Sequence, residues 1–500
     1  TAQSAIHTVT RGQVIVLGAL ALVGLIGLFL NAIATIVIAL SLIMTYYLAD
    51  LLLNFVLLLR TLHRSPEVRI DDAVVHALGA GEWPKYTILC PLYQEENVVP
   101  QFVRAISALD YPVEQLQVLL LTEEQDTATQ QAIMAQHLPS QFEMVIVPNG
   151  APRTKPRACN YGLLRATGKY IVIYDAEDIP DPLQLKKAVL TFASHGDELG
   201  CVQAKLNFYN TDQNILTRMF TAEYSLWFEL ILPGMQSAQV PLPLGGTSNH
   251  FRTATLRSLG AWDPFNVTED CDLGLRLANQ GLQTTILDSV TREEANSRAH
   301  NWFRQRSRWI KGYMQTYLVH MRRPVRYVSE GRIRDFISLQ AIVGGKVATL
   351  FINPLMWAMT LIYIFLRPIV GPTYAELFPT PLLYMGMFCL IFGNFYYIYI
   401  NFIGGMQRKQ YGLLKWMFCT PFYWVMMSLA ATIALWQLII KPSFWEKTQH
   451  GFHLVQQPRH VTTLPRLGEL GTALSRITQT GIQQIVGQDT ISQTVATVEP

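Results

Sequence analysis

Charge is what this chain has least of. Only 15% of its 500 residues are Asp, Glu, Lys or Arg, and 39 basic against 36 acidic side chains leave a formal net charge of +3. So small a surplus cannot build the basic face that a phosphate backbone requires, which excludes nucleic acid as a partner. Cysteine is scarce as well. Cys90, Cys159, Cys201, Cys271, Cys389 and Cys419 stand apart without metal-ligand spacing. That excludes a thiolate metal module and a disulfide scaffold, and leaves small buried hydrophobes. Apolar residues take the place of the missing charge. Half of the chain is hydrophobic and the mean hydropathy is +0.21, outside the usual soluble range, so membrane segments are expected.

Two apolar stretches open the chain, Val14 to Leu30 and Ile33 to Leu59, the second enclosing Asp50. Each can supply the ~20 helical residues that span a hydrocarbon core. The first runs into the second without a small-residue cleavage pattern, so both are expected to stay as anchors. Arg11 precedes the first stretch, and Arg60 and Arg64 follow the second. The positive-inside bias then puts both flanks, and the polar middle of the chain, on the cytoplasmic side of an inner (plasma) membrane.

From Glu82 to Arg292 short β-rich runs alternate with helical periodicity, the pattern of an α/β domain with a mainly parallel sheet. Strands are expected at Tyr86 to Leu92, Gln117 to Leu121, Phe142 to Val147, Tyr170 to Tyr174 and Thr284 to Leu287. Active groups in such sheets gather at the carboxyl ends of strands. Tyr93 and Glu95 follow the first of these, Glu123 and Glu124 the second, Lys155 the third and Asp175 the fourth.

The fourth strand delivers Asp175, Glu177 and Asp178 into a turn closed by Pro180 and Pro182. Three carboxylates crowd there cheaply only around a cation, and a hard divalent ion shared with diphosphate oxygens suits Mg²⁺ or Mn²⁺. A solvated acidic turn is the plainer reading. Lys155 could offset a diphosphate, or simply be a surface lysine. Thr268-Glu269-Asp270 opens an apolar-periodic helix, where acids meet the helix dipole, or else provides a general base. The run Gly245-Gly246-Thr247-Ser248 is a plain turn or a loop that lets backbone approach a sugar ring. Gln305-Arg-Ser-Arg308-Trp309 closes the series, with Trp309 a core residue or an aromatic sugar platform.

In this order, between membrane segments, the motifs resemble the processive, membrane-integrated family 2 glycosyltransferases, the cellulose, chitin and hyaluronan synthases. The resemblance implies a GT-A, Rossmann-like cytoplasmic catalytic domain inserted between transmembrane helices of a polytopic protein. It implies inverting transfer from a UDP-sugar, UDP-glucose or UDP-GlcNAc, onto a growing β-linked polysaccharide, with Mg²⁺ or Mn²⁺ and secretion between the protein's own helices. By position, Tyr93, Glu95, Glu123, Glu124, Lys155, Asp175, Gln305 and Arg308 would bind donor, and Asp175 with Glu177 or Asp178 the metal. Asp270, with Thr268 and Glu269, would be catalytic, and Trp309, Gly246, Thr247 and Ser248 would meet the acceptor. A gating loop would hold Trp445, Lys447, Thr448 and His450. An accessory export or regulatory subunit is a further expected partner. The alternative is a lipid glycosyltransferase of the same fold that makes a glycosyl-diacylglycerol or polyprenyl glycolipid. A transporter with a soluble insert would leave the motif order as coincidence.

The expected layout is therefore a transmembrane hairpin at 1–62, the catalytic domain at 82–295, an interface helix and basic linker at 296–335, membrane and interface helices at 336–440, the gating loop at 441–452 and a flexible tail at 453–500. Ile215 to Leu232 and Ala299 to His320 fit helices on the membrane face or buried globular ones. The C-terminal apolar region is expected to break near Asn353-Pro354 and to end its first span near Leu366, with Lys346 either facing a channel or snorkelling. A second span covers Leu382 to Ile403. Hydropathy makes Leu413 to Ile440 a further span, whereas the resemblance, which requires a cytoplasmic gating loop after it, makes it an interface helix bent at Thr420-Pro421.

Overall fold

The structure, a computed structural model, describes residues 3–63, 65–78 and 83–445. Lys447, Thr448, His450 and the tail at 453–500 lie outside these. Eight strands form one sheet: β1 (Tyr86–Leu92), β2 (Leu116–Glu123), β3 (Phe142–Val147), β4 (Tyr170–Ile173), β5 (Ile179–Pro180), β6 (Leu199–Phe208), β7 (Asn249–Arg252) and β8 (Gln283–Glu293), in the order β3-β2-β1-β4-β7-β6-β8-β5. The first four are mutually parallel, as expected. The sheet as a whole is mixed, because β7 runs antiparallel to both β4 and β6, and β5 runs antiparallel to β8. This reversal matters for the site. It returns the chain to the carboxyl end of β4, where the Ser248 amide donates to the Ile173 carbonyl at 2.9 Å.

The central strands are covered on both faces, which explains their near-continuous apolar sequence. Alternate residues point opposite ways. Ile88, Leu120 and Val172 meet Phe102, Ile106 and Phe192 on one face. Leu89, Leu121 and Ile173 meet Cys159, Leu163, Phe251 and Leu277 on the other. Strand β6 escapes the sequence pattern because Gln203, Lys205 and Asn207 interrupt it, yet every residue in it is buried. Lys205 is tolerated there by Glu67, Glu229 and Asp288 at 2.5, 2.7 and 3.0 Å.

Among the described residues, five helical segments are long and apolar enough to cross a membrane. The hairpin Arg11–Leu30 and Ala32–His63 has its feet on two helices beside the sheet: Gln13 Nε2 donates to the Leu318 carbonyl of Ala299–His320 at 2.7 Å, and Thr61 Oγ1 to the Leu230 carbonyl at 2.7 Å. The helices Gly345–Leu377 and Thr380–Gln407 form a second pair. The second ends where Arg408 meets Glu229 at 2.6 Å. The expected break at Asn353-Pro354 is absent. The helix continues through Pro354 and departs from helical dihedrals at Leu366, two residues before Pro368, whose ring crowds the preceding turn.

The last helix, Thr420–Ile440, begins where the bend was expected, with Pro421 in its first turn after a 3₁₀ segment. Proline suits that place because it has no amide hydrogen to satisfy. Both ends of this helix lie on the catalytic unit. Tyr423 hydrogen-bonds Glu223 at 2.7 Å near the start, and just past the end the Pro442 and Phe444 carbonyls accept from Gln315 at 3.0 Å and Lys311 at 2.7 Å.

Gly404, in Thr380–Gln407, lets that helix approach backbone closely: a Cβ there would stand 2.9 Å from the Leu226 nitrogen. Gly404→Val should force Thr380–Gln407 away from Ile215–Leu226 and cost roughly 1–3 kcal/mol, as overpacking does. Thermal unfolding in detergent should show a lowered midpoint, and an unchanged midpoint would refute the close contact.

Candidate active site

A cavity of about 520 Å³ opens at the carboxyl ends of β1, β2 and β4. It gathers, from distant parts of the chain, Tyr93, Glu95, Glu123, Lys155, Asp175, Glu177, Gly246, Thr247, Thr268, Glu269, Asp270, Gln305, Arg308, Trp309 and Trp445. Three expected residues fall outside its lining. Glu124 is exposed and accepts the Asn149 amide at 2.9 Å, so of the glutamate pair only Glu123 faces the cleft, 3.3 Å from Arg157. Asp178 is buried beneath the turn, where its Oδ2 accepts the Asp175 amide at 2.8 Å and the Thr247 hydroxyl. Ser248 is fully buried at φ 57°, with its hydroxyl on Thr291 at 2.6 Å, so it supports the loop from below. Among the acids of the β4 turn, Asp175 and Glu177 are the ones presented to the cavity.

Lys155 is the pivot of the polar half. Its ammonium lies 2.5 Å from Asp175 Oδ1 and 2.6 Å from the Gly246 carbonyl. Burial alone lowers a lysine pKa, but Asp175 and Glu269 outweigh it and hold Lys155 above its ordinary value. The carboxylates shift the other way. Burial, then Asp175 and Glu95, push Glu177 well up. Burial, then Asp270, raise Glu269 to about 8. Burial raises Asp270 too, although the Cys271 amide, which donates to it at 2.7 Å, Lys155 and Arg308 all oppose the shift. Such crowding of hard oxygen donors fits a divalent cation. Among the described residues no three His, Cys, Asp or Glu side chains converge as a ready-made cage. That suits an ion of the kind held by one or two carboxylates and completed by phosphate oxygens.

Helix Glu269–Asn279 divides its first-turn acids between two tasks. Glu269 and Asp270 line the cavity. Asp272 turns inward to Arg276 at 2.8 Å and His320 at 3.0 Å, a purely structural pairing. The platform helix, Ala299–His320, crosses directly behind. Gly312 makes the crossing possible, because a Cβ there would lie 2.4 Å from the Thr268 side chain. The same helix presents Gln305, which accepts from Asn296 at 2.8 Å, Arg308, whose guanidinium stacks 4.5 Å over Trp445, and Trp309.

Beyond Trp309 the cavity continues between the apolar helices, lined by Asn54, Lys346, Asn353, Tyr397, Asn401 and Trp424. Lys346 faces this cavity, 2.9 Å from Asn54 Oδ1 and 4.0 Å from Asp50 Oδ1. Sequence reading missed Glu293 at the end of β8, and Arg306 and Tyr423 beside Trp309, all of which line the cavity. Arg306 was visible inside its motif. Glu293 and Tyr423 carried no local signal, since only the sheet order and the last helix bring them here.

Residues 84–312 match the family model described as Glycosyltransferase like family 2. The Bacillus subtilis (strain 168) protein named Probable glycosyltransferase YdaM is 28% identical over 239 residues, which cover 46% of this chain and 56% of that protein. Glucomannan 4-beta-mannosyltransferase 2 of Arabidopsis thaliana is 25% identical over 268 residues, 51% of this chain and 50% of that one. The chain thus spans about half the length of the curated relatives it matches. Among solved structures, mannosyltransferase PcManGT from Pyrobaculum calidifontis, in complex with GDP-Man and Mn²⁺, aligns with a TM-score of 0.47 at 17% identity, over 71% of this chain and 98% of that one. Glucosyl-3-phosphoglycerate synthase from Mycobacterium tuberculosis, in complex with Mg²⁺ and UDP, aligns at 0.33 and 15% identity over 53% of this chain and 87% of that one.

The raised Glu269 pKa carries a stability consequence. Its folded value, about 8, lies above the ordinary 4.5, so the folded state prefers the protonated acid, and stability is lost as pH rises from about 4.5 toward 8. Glu269→Gln should therefore gain midpoint temperature relative to the parent, by an amount that grows across that window. A constant difference would show that burial does not shift Glu269.

Segment 84–312, which supplies the cleft residues from Tyr93 to Trp309, is a glycosyltransferase family 2 domain.

Proposed function

We propose that the protein is an inverting membrane glycosyltransferase that moves a hexose from a nucleoside-diphosphate sugar onto a β-linked acceptor chain. The observation that carries this reading is the meeting, in one cavity, of the Lys155–Asp175 pair, Asp270 and Trp309. Glu123 and Tyr93 are suited to the nucleoside, and Lys155 and Arg308 to the diphosphate. Asp175 and Glu177 would hold Mg²⁺ or Mn²⁺, which when bound neutralises charge on the leaving diphosphate.

In the transfer step an acceptor hydroxyl gives its proton to the Asp270 carboxylate as its oxygen bonds to the anomeric carbon. The bond to the diphosphate oxygen breaks, and the nucleoside diphosphate leaves. Attack opposite the leaving group inverts the centre. Burial makes Asp270 a stronger base than a solvated carboxylate, in keeping with general base catalysis worth ~10² to 10⁴ in rate. Trp309 offers the acceptor ring an apolar face.

Processive synthesis with export is supported by the continuation of the cavity among helices, where asparagine amides and aromatic rings suit a hydroxylated chain. The matching placement of both hairpin feet, and of both ends of Thr420–Ile440, supports four spans and an interface helix, with the catalytic domain cytoplasmic. UDP-glucose and UDP-GlcNAc are the donors expected from the motif resemblance. The names of the plant relatives favour a mannosyl donor as a second reading. A glycolipid product is the outcome that would replace the polymer.

Nucleoside diphosphate release by the detergent-purified protein, measured with UDP-glucose, UDP-GlcNAc and GDP-mannose, should respond to one donor, require Mg²⁺ or Mn²⁺ and stop with EDTA. Sizing the product should give a polymer. An extractable single-sugar lipid would overturn the polymer reading. Asp270→Asn should retain donor binding and lose transfer by at least about 10²-fold; full turnover would remove it as the base. Trp309→Ala should weaken acceptor use more than donor hydrolysis, and an equal loss of both would remove the platform role.

A further inference from the structure

Beside Trp309 lies a polar cluster drawn from three elements of the fold. Arg306, 4% exposed, reaches from the platform helix to Glu223 of helix Ile215–Leu226, with Nη1 2.8 Å from Oε1 and Nη2 on Oε2. Tyr423 of the last helix donates to Glu223 Oε2 at 2.7 Å and accepts from Arg306 Nη2 at 3.1 Å. The guanidinium also stacks on the surrounding rings, 4.2 Å from the centroid of Phe220 and 4.9 Å from that of Trp309. All three polar residues line the cavity. Arg306 Nε is buried and has no hydrogen-bond partner among the described residues, whereas a third of the Glu223 side chain remains open.

We infer that the Glu223–Arg306 pair determines specificity on the acceptor side, admitting an uncharged sugar at the acceptor terminus and rejecting one that bears a carboxylate or phosphate. The inference rests on the glycosyl-transfer reading and names the acceptor class for it. The bidentate pair offers hydrogen bonds without net charge. A neutral ring on Trp309 finds the open part of the Glu223 carboxylate as an acceptor, with the Tyr423 hydroxyl beside it. A uronate or phosphate in the same position meets the Glu223 carboxylate, while the one cation within reach is already paired. Desolvating an anion without a counter-charge is strongly unfavourable, so this arrangement acts by exclusion as much as by attraction. The other cavity cations are engaged elsewhere: Lys155 by Asp175, Arg308 over Trp445, Lys346 beside Asn54 and Asp50, and Arg153 on Asn149 at 3.4 Å.

The test compares two acceptors in the full-length protein, using the donor that it turns over. One is a β-linked hexose oligosaccharide, and the other is the same oligosaccharide oxidised at C6 of its terminal ring to the uronate. The parent should prefer the neutral acceptor by at least about tenfold in kcat/KM, a modest charge discrimination. Glu223→Gln strands the Arg306 charge and should cut that ratio by about tenfold. Adding Arg306→Gln removes the stranded charge and should restore the preference. Tyr423→Phe, which spares the ion pair, should keep the ratio while raising KM for both acceptors. If Glu223→Gln does not fold, Arg306→Gln alone should widen the ratio, since it leaves the carboxylate uncompensated. A ratio that stays at the parental value in the folded single variant would falsify the inference and leave glycosyl transfer standing. A parent that turns over no donor would instead sink the glycosyl-transfer reading, and this inference with it.

Discussion

Everything in this molecule's cleft follows from the confinement of negative charge in a place with little water. Asp175, Glu177, Glu269, Asp270 and Glu293 line one cavity. The cations closest to balancing them are Lys155, bound to Asp175 at 2.5 Å, and Arg308. Burial strips these groups of hydration and like charges repel, so Glu177, Glu269 and Glu293 shift toward the protonated form. The same excess makes the cleft receptive to a divalent ion. Lys155 is central because it touches both the β4 turn and the Gly246 loop. It joins these two parts of the cleft through one charge.

The platform helix is the mechanical counterpart of that charge. Gly312 lets it pass against Thr268, and Arg306 ties it to helix Ile215–Leu226 and to the last helix. Lys311 and Gln315 hold the segment after Ile440. A helix that carries Gln305, Arg308 and Trp309 on its cavity side, and these ties elsewhere, holds those three side chains in place against the cleft. Pre-organisation of this kind is what transfer between two bound sugars needs.

Much of this was legible in the sequence, for physical reasons. Strand β1 matched its expected bounds because a strand buried on both faces is a short apolar run with turn residues on either side, and β3, at the sheet edge, matched because its buried Phe142, Val145 and Val147 lie in a short β-rich run. The cleft residues that ended such strands also appeared where expected, since parallel sheets bring carboxyl ends together. Prediction failed where burial was achieved by polar means. Strand β6 is hidden by Gln203, Lys205 and Asn207, whose partners come from elsewhere in the chain. Ser248 and Asp178 are as polar as their neighbours Thr247 and Glu177, and adjacent positions differ only in which way the backbone turns them.

By itself, then, the sequence determined that the chain carries helices apolar enough to cross a membrane around an α/β domain, and where its clustered acids and aromatic residues stand along the chain. Those properties depend on hydrophobic periodicity and on motif spacing, both local. Tertiary structure alone decided which acid of a pair faces the cleft, that β7 reverses to bring Gly246 beside Asp175, and that Tyr423 closes on Arg306 and Glu223. Such choices turn on contacts between residues tens to hundreds of positions apart, and their energies exist only once the chain is packed.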